Sequence, residues 1–197
     1  MSKLYLMRHG QTLFNMRKIA QGICDSPLTK TGVDQAKMAR RYIEKNFKID
    51  RLYCSTLLRS ETTARIVSDL EIVRLEGLRE GSYGRLEGQS EDLLRNPAVS
   101  MDGLDDDTIV AAGGESQEEC SSRFSKCIKE IVDQNDGENI LAVSHGGVIA
   151  FFYVEHQGPW KGSYAENFDN CCILEFDVND DTKELAFVKI HHPIAEV

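Results

Sequence analysis

Residues 4–12 read Leu4-Tyr5-Leu6-Met7-Arg8-His9-Gly10-Gln11-Thr12, a short apolar run that hands over directly to an arginine, a histidine and a glycine. An apolar run of this length suits a core strand, and strands buried on both faces belong to parallel sheets covered by helices. Arg8 and His9 then stand at the carboxyl end of that strand. In an open parallel sheet this is where ligands bind, because adjoining helix N-termini present unpaired N–H groups there. Two polar side chains at the junction are placed for chemistry rather than for the core.

Similar β-rich runs recur at Arg51 to Cys54, Ile72 to Leu75, Ile140 to Ser144, Cys171 to Phe176 and Leu185 to Ile190. Between the first two strands Thr29 can cap a helix whose apolar positions Val33, Ala36, Ala39, Ile43 and Phe47 recur every three or four residues. Ser116-Gln117-Glu118-Glu119 reads as a capping box ahead of the stripe Cys120, Phe124, Cys127 and Ile131, and that helix leads into the Ile140 strand. Strands alternating with helices predict an α/β fold with a mostly parallel sheet covered on both faces. The last two strands form an edge hairpin turning around Asp177-Val178-Asn179-Asp180-Asp181.

Composition narrows the partners. The 197 residues, 41% hydrophobic and 28% charged, match one domain spanning 1–197. A formal net charge of -9 gives no surface suited to nucleic acid or anionic lipid. The six cysteines include no C-x-x-C pair, so neither a zinc site nor a disulfide framework is indicated, and reduced thiols fit a cytoplasmic protein. The N-terminus shows no apolar segment of signal-peptide length, and the uncharged run Ile140 to Val154 falls short of a bilayer span. The expectation is a soluble chain. From Gly88 to Ser122 nine acidic residues stand against one basic residue, Arg95, which marks an excursion from the sheet able to lie over the strand ends as a lid.

The strand-end pattern repeats at Ala142-Val143-Ser144-His145-Gly146-Gly147. A third junction, Leu52-Tyr53-Cys54-Ser55-Thr56-Leu57-Leu58-Arg59, offers a guanidinium from the first turn of a helix. Two arginines and two histidines meeting over one crevice repel one another unless an anion sits among them, and the arginine fork matches phosphate oxygens. A neutral imidazole can attack phosphorus to give a phosphohistidine while cations stabilise the equatorial oxygens, and this chemistry requires no metal or cofactor. The leaving alkoxide needs a proton from a nearby carboxylic acid. Glu80, after the Ile72 strand, is the best candidate, and Glu87 in the same Gly-rich loop is its rival. His156, His191 and His192 lack a comparable setting and read as surface or packing residues.

Other motifs fail on spacing. Cys54 and Arg59 have four residues between them where a cysteine-phosphatase loop needs five. The stretch from Asp177 carries Thr182 where a calcium loop needs its glycine. No G-x-x-x-x-G-K-[S/T] loop occurs.

The ordered set of motifs resembles the histidine phosphatase superfamily, the phosphoglycerate-mutase-like group. The resemblance rests on Arg8-His9-Gly10 with Thr12 and Asn15, Gln21-Gly22, Asp25-Ser26-Pro27-Leu28-Thr29, Ser55 with Arg59, Glu80 with Gly84 and Glu87-Gly88, Gly114-Glu115-Ser116, and Ser144-His145-Gly146. It implies a three-layer α/β/α sandwich in which His9 is phosphorylated, Arg8, Arg59 and His145 hold the phosphoryl group, and Glu80 acts as proton donor and then as base. Asn15, Gln21 and backbone N–H groups near Gly22 and Gly146 would complete the phosphate pocket.

The activity expected is hydrolysis of a small phosphomonoester. A cofactor-dependent phosphoglycerate mutase is the alternative, with Arg17, Lys18 and Arg85 as candidate holders of a second anionic group. The acidic character of residues 88–122 argues against it, since a mutase must retain a doubly charged intermediate and exclude water. An inactive phospholigand-binding protein is the third reading.

Overall fold

The computed structural model describes residues 2–94, 106–157 and 161–195. In chain order it contains β1 (Ser2–Arg8), α1 (Leu13–Arg17), α2 (Lys30–Asn46), β2 (Arg51–Ser55), α3 (Leu58–Val67) and β3 (Ile72–Leu75). After short 3-10 turns, α4 (Asp106–Ala111), α5 (Gln117–Gln134), β4 (Ile140–Ser144), α6 (Gly146–Gln157), α7 (Tyr164–Asn167), β5 (Ile173–Val178) and β6 (Leu185–His191) follow. None of the described helices is long and apolar enough to cross a membrane.

The six strands form one sheet in the order β3-β2-β4-β1-β5-β6. The first four are parallel, β5 runs antiparallel to β1, and β6 returns antiparallel at the edge. Alternation along the strands decides which layer each side chain enters. Leu4 and Leu6 of β1, with Leu174 and Phe176 of β5, pack beneath Phe124 and Ile128 of α5 and Val148 and Phe152 of α6. Tyr5 and Met7, with Leu52, Cys54, Leu141 and Val143, pack against Ala36, Ala39 and Ile43 of α2 and Ala64 and Val67 of α3. A sheet with two apolar faces between two pairs of helices is the expected three-layer α/β/α sandwich.

The caps fall where the sequence puts them. Thr29 accepts a hydrogen bond from the Gly32 N–H at the start of α2, and Ser116 forms a reciprocal box with Glu119 at the start of α5. One strand begins later than its composition suggests. Cys171 has a left-handed φ of 65° and the Cys172 N–H donates to the Asp169 carbonyl, so 169–172 is a turn and β5 starts at Ile173. The edge hairpin turns where Asn179 accepts from the Asp181 and Thr182 N–H groups, an Asx turn rather than an ion-binding loop.

The acidic excursion is partly packed. Ala20, Leu94 and Ile109 form a small apolar cluster with Tyr83 and Leu86, and the Ala20 N–H and carbonyl pair with Gln89 and Gly88. Arg95, Asp102 and Asp105 lie outside the described residues.

Candidate active site

Sheet register explains why two histidines 136 positions apart meet. β1 and β4 are adjacent and parallel, with Arg8 opposite Ser144. The next residue on each strand is a histidine, and the His9 N–H donates to the Ser144 carbonyl at 3.0 Å. The two imidazole centroids stand 5.2 Å apart, with His9 3% and His145 0% exposed. β2 lies on the other side of β4 and ends at Ser55. Arg59, in the first turn of α3, is 1% exposed and is brought to the same end of the sheet.

Hydrogen bonding assigns the tautomer of His9. Its Nδ1 lies 2.8 Å from the Gly10 carbonyl, which can only accept, so Nδ1 carries the proton and Nε2 keeps its lone pair. Burial, then the Arg59 and Arg8 guanidiniums, holds His9 well below the usual histidine range. His145 is depressed in the same way, first by burial and then by Arg59, His9 and Arg8. Both rings are neutral in a cationic surrounding, as a nitrogen nucleophile requires.

The arginines are held from behind. Arg59 Nη1 donates to the Cys24 carbonyl at 2.9 Å and pairs with Asp25 at 3.0 Å, and Nη2 donates to the Gly22 carbonyl at 2.7 Å. Arg8 Nη1 donates to the Phe168 carbonyl, and the guanidinium lies 5.9 Å from the centre of the Tyr164 ring. Among the described residues, the buried side-chain nitrogens and oxygens without a hydrogen-bond partner are Arg8 Nε, Arg59 Nε and both ring nitrogens of His145. A buried polar atom without a partner costs about 1–3 kcal/mol. Four such atoms, all on Arg8, Arg59 and His145, are left for a bound group to satisfy.

Glu80 caps α6. Its carboxylate accepts from the Gly147 and Val148 N–H groups, both at 3.0 Å, and from Gly81 at 3.2 Å. The glycines after His145 allow this close packing: a Cβ on Gly147 would stand 2.7 Å from Glu80 Oε1, and one on Gly146 would stand 2.1 Å from the Tyr164 hydroxyl and 3.0 Å from Arg8 Nε. Glu87 is committed elsewhere. It accepts from the Ile23, Cys24 and Tyr83 N–H groups, each at 3.0 Å, and so clamps the loop that holds Arg59.

The remaining expected pocket residues have supporting contacts. Asn15 Oδ1 accepts from the Thr12 N–H, which closes the box at the start of α1, and the Thr12 hydroxyl lies 3.0 Å from both Asn15 Oδ1 and Gln21 Oε1. Gly22 contributes the carbonyl that orients Arg59. His191 is a packing residue between Tyr42 and Glu175, and His156 lies tilted against Phe152 with ring centroids 4.1 Å apart.

Sequence reasoning passed over two residues at this site. Asn170 Nδ2 donates to the His9 carbonyl at 3.1 Å, and Tyr164 lies beside Arg8 and Gly146. Both come from the stretch ahead of β5, where no periodicity signals them.

The neutral imidazoles make stability depend on pH. In the unfolded chain histidine titrates near 6.5, so below that pH the unfolded state binds more protons than the folded state and stability falls. A bound dianion favours imidazolium and opposes this loss. Sulfate, whose charge is constant over the range, should therefore raise the melting temperature more at pH 5.5 than at pH 8. Each kcal/mol of coupling adds roughly 2–4 °C for a chain of this size. Equal shifts at both pH values in calorimetry would show that neither ring faces the anion.

Comparison with known proteins gives one family. The model of the histidine phosphatase superfamily (branch 1) matches residues 4–191. A putative phosphoserine phosphatase 2 of Hydrogenobacter thermophilus is 35% identical over 196 residues, covering 95% of each chain. Phosphoglycerate mutase-like protein 4 of Arabidopsis thaliana is 31% identical over 160 residues, 77% of this chain and 70% of the relative. The crystal structure of a phosphoserine phosphatase mutant from Entamoeba histolytica, in complex with phosphoserine, superposes with a TM-score of 0.79 at 26% identity over 100% of both chains.

Proposed function

The chain belongs to the histidine phosphatase superfamily, and from that premise we propose that it hydrolyses small phosphomonoesters without a metal, by way of a phosphohistidine on His9. The observation that carries the proposal is the set of four unpartnered buried nitrogens on Arg8, Arg59 and His145 around a neutral His9.

In this reading Arg8, Arg59 and His145 bind the phosphoryl oxygens, and the Gly146 N–H at the start of α6 adds a backbone donor. Asn15, Gln21 and Gly22 keep the 12–24 loop in the shape that presents Arg59. His9 Nε2 attacks phosphorus as the bond to the ester oxygen breaks, and Glu80 passes its proton to that oxygen. The Glu80 carboxylate then takes a proton from water, the water oxygen attacks phosphorus, and the P–N bond breaks to release phosphate and restore His9. The six free cysteines are consistent with a reducing, cytoplasmic setting.

The relatives make O-phosphoserine the first ester to try. Purified protein should release inorganic phosphate from it at the same rate with and without EDTA. Loss of turnover with the chelator would contradict the metal-independent route. The mutase reading keeps one observation in its favour, since Arg17 and Lys18 are exposed at the C-terminal end of α1, whereas Arg85 is committed to the Ala111 carbonyl. Conversion of 3-phosphoglycerate primed with its bisphosphate, without phosphate release, would decide for the mutase. Phosphate binding without either activity would decide for an inactive binder.

A further inference from the structure

We propose that Arg123, on α5, is the positioning residue for the proton donor Glu80, holding the backbone that carries it at a fixed distance from the phosphoryl site. The proposal rests on the assignment of Glu80 above. Three carbonyls of the segment leading to Glu80 converge on this one guanidinium. Nη1 donates to the carbonyls of Gly77 at 2.9 Å and Arg79 at 3.0 Å, and Nη2 donates to the carbonyl of Glu80 itself at 3.3 Å.

Glu115 fixes the guanidinium in turn, through Nε at 2.8 Å and Nη2 at 2.9 Å, and also accepts from the Ser82 N–H at 3.0 Å. The remaining carbonyl of the run, that of Leu78, accepts from the hydroxyl of Ser144, the residue before His145. Residues 77–82 are thus tied both to α5 and to the end of β4. Packing seats the same segment: a Cβ on Gly77 would stand 2.5 Å from Cys127 Cβ, and one on Gly81 would stand 3.1 Å from Cys120 Sγ. Cys120, Arg123 and Cys127 share one face of α5 at spacings of three and four.

The physical need is specific. Segment 76–94 contains only single-turn 3-10 elements, so nothing in its own secondary structure fixes Glu80. Proton donation tolerates little displacement, and a misplacement of about 1 Å costs on the order of 100-fold. A planar fork reaching three carbonyls while paired to a carboxylate is a task for arginine. Lysine keeps the charge but cannot make that set of bonds.

The test compares two esters. An alkyl ester such as O-phosphoserine needs a proton on its leaving oxygen, whereas p-nitrophenyl phosphate expels p-nitrophenolate, which is stable as an anion. The measure is kcat/KM, which reports the step in which the leaving group departs. Arg123→Lys and Arg123→Met should lower kcat/KM for the alkyl ester about 10- to 100-fold, with less than about a threefold change for the aryl ester. Adding Arg123→Lys to Glu80→Gln should cost nothing further on the alkyl ester, since both act on one proton. Equal losses on the two esters, full activity in Arg123→Lys, or an additive loss in the double variant would overturn the proposal.

Should Arg123→Met fail to fold, as judged by circular dichroism, Arg123→Lys and Glu115→Gln carry the same comparison. Glu80→Gln separates the two levels of inference. If it shows no difference between the esters, the assignment of Glu80 falls and this proposal with it. If it shows the difference and the Arg123 variants do not, only the role of Arg123 falls.

Discussion

Replacing His9 with alanine is expected to leave no phosphoenzyme to trap and to reduce turnover on the order of 10⁴-fold or more, the scale seen when a covalent nucleophile is removed. The expectation depends on which ring presents a lone pair to phosphorus. The Gly10 carbonyl accepts a hydrogen bond from the Nδ1–H of His9 at 2.8 Å and commits Nε2 to attack. Among the described residues neither ring nitrogen of His145 has a hydrogen-bond partner, so none of them fixes its tautomer. It suits a role in which it donates to, or accepts from, whatever lies in the crevice. The two residues should therefore part company in one experiment. After incubation with radiolabelled ester and an alkaline quench, the His9→Ala variant should carry no acid-labile label, whereas His145→Ala should still be labelled, though slowly. The His9→Ala protein should also still be stabilised by sulfate, because Arg8, Arg59 and His145 remain. Label recovered on the His9 variant would move the nucleophile to His145 and reverse the two roles.

The sequence made this site legible as far as strand ends could. A parallel β1 and β4 were readable from apolar runs followed by His-Gly, and their register turned two distant dipeptides into neighbours. Arg59 was readable for a similar reason, since a residue one turn past a strand end has few other places to go. Glu80, after the Ile72 strand, was the preferred carboxylate in the sequence, but Glu87 stayed its rival because both lie in one Gly-rich stretch. In the structure the two carboxylates meet different N–H groups, those of α6 for Glu80 and those of residues 23, 24 and 83 for Glu87. Arg123 and Asn170 were out of reach for a different reason. Each acts through contacts 43 or more residues away in the chain, from a helix flank and a turn whose local pattern carries no chemistry. The late start of β5 is a local failure. Cys171 and Cys172 look like strand residues, yet a left-handed backbone at Cys171 turns the chain so that Asn170 can reach His9.

Glu80→Gln is expected to slow turnover of an alkyl phosphate by roughly 10²- to 10⁴-fold, the usual worth of a positioned general acid, while phosphate binding stays nearly unchanged. The glutamine amide is close in shape, and its oxygen can still accept from Gly147 or Val148, so α6 keeps most of its cap. Arg8 and Arg59 are not hydrogen-bonded to Glu80, and their supports at Phe168, Gly22, Cys24 and Asp25 are untouched. What disappears is a proton that can be given and recovered. Both half-reactions use that proton, first on the leaving oxygen and then from the attacking water, so the variant should be slow to form the phosphoenzyme from an alkyl ester and slow to hydrolyse it. With p-nitrophenyl phosphate the first step escapes this demand. A burst of p-nitrophenolate close to one equivalent per enzyme, followed by a slow steady rate, is the expected trace, and label should accumulate on His9. A variant that turns over O-phosphoserine at the parent rate would show that the proton comes from elsewhere, with Tyr164, beside Arg8 and Gly146, the next group to test.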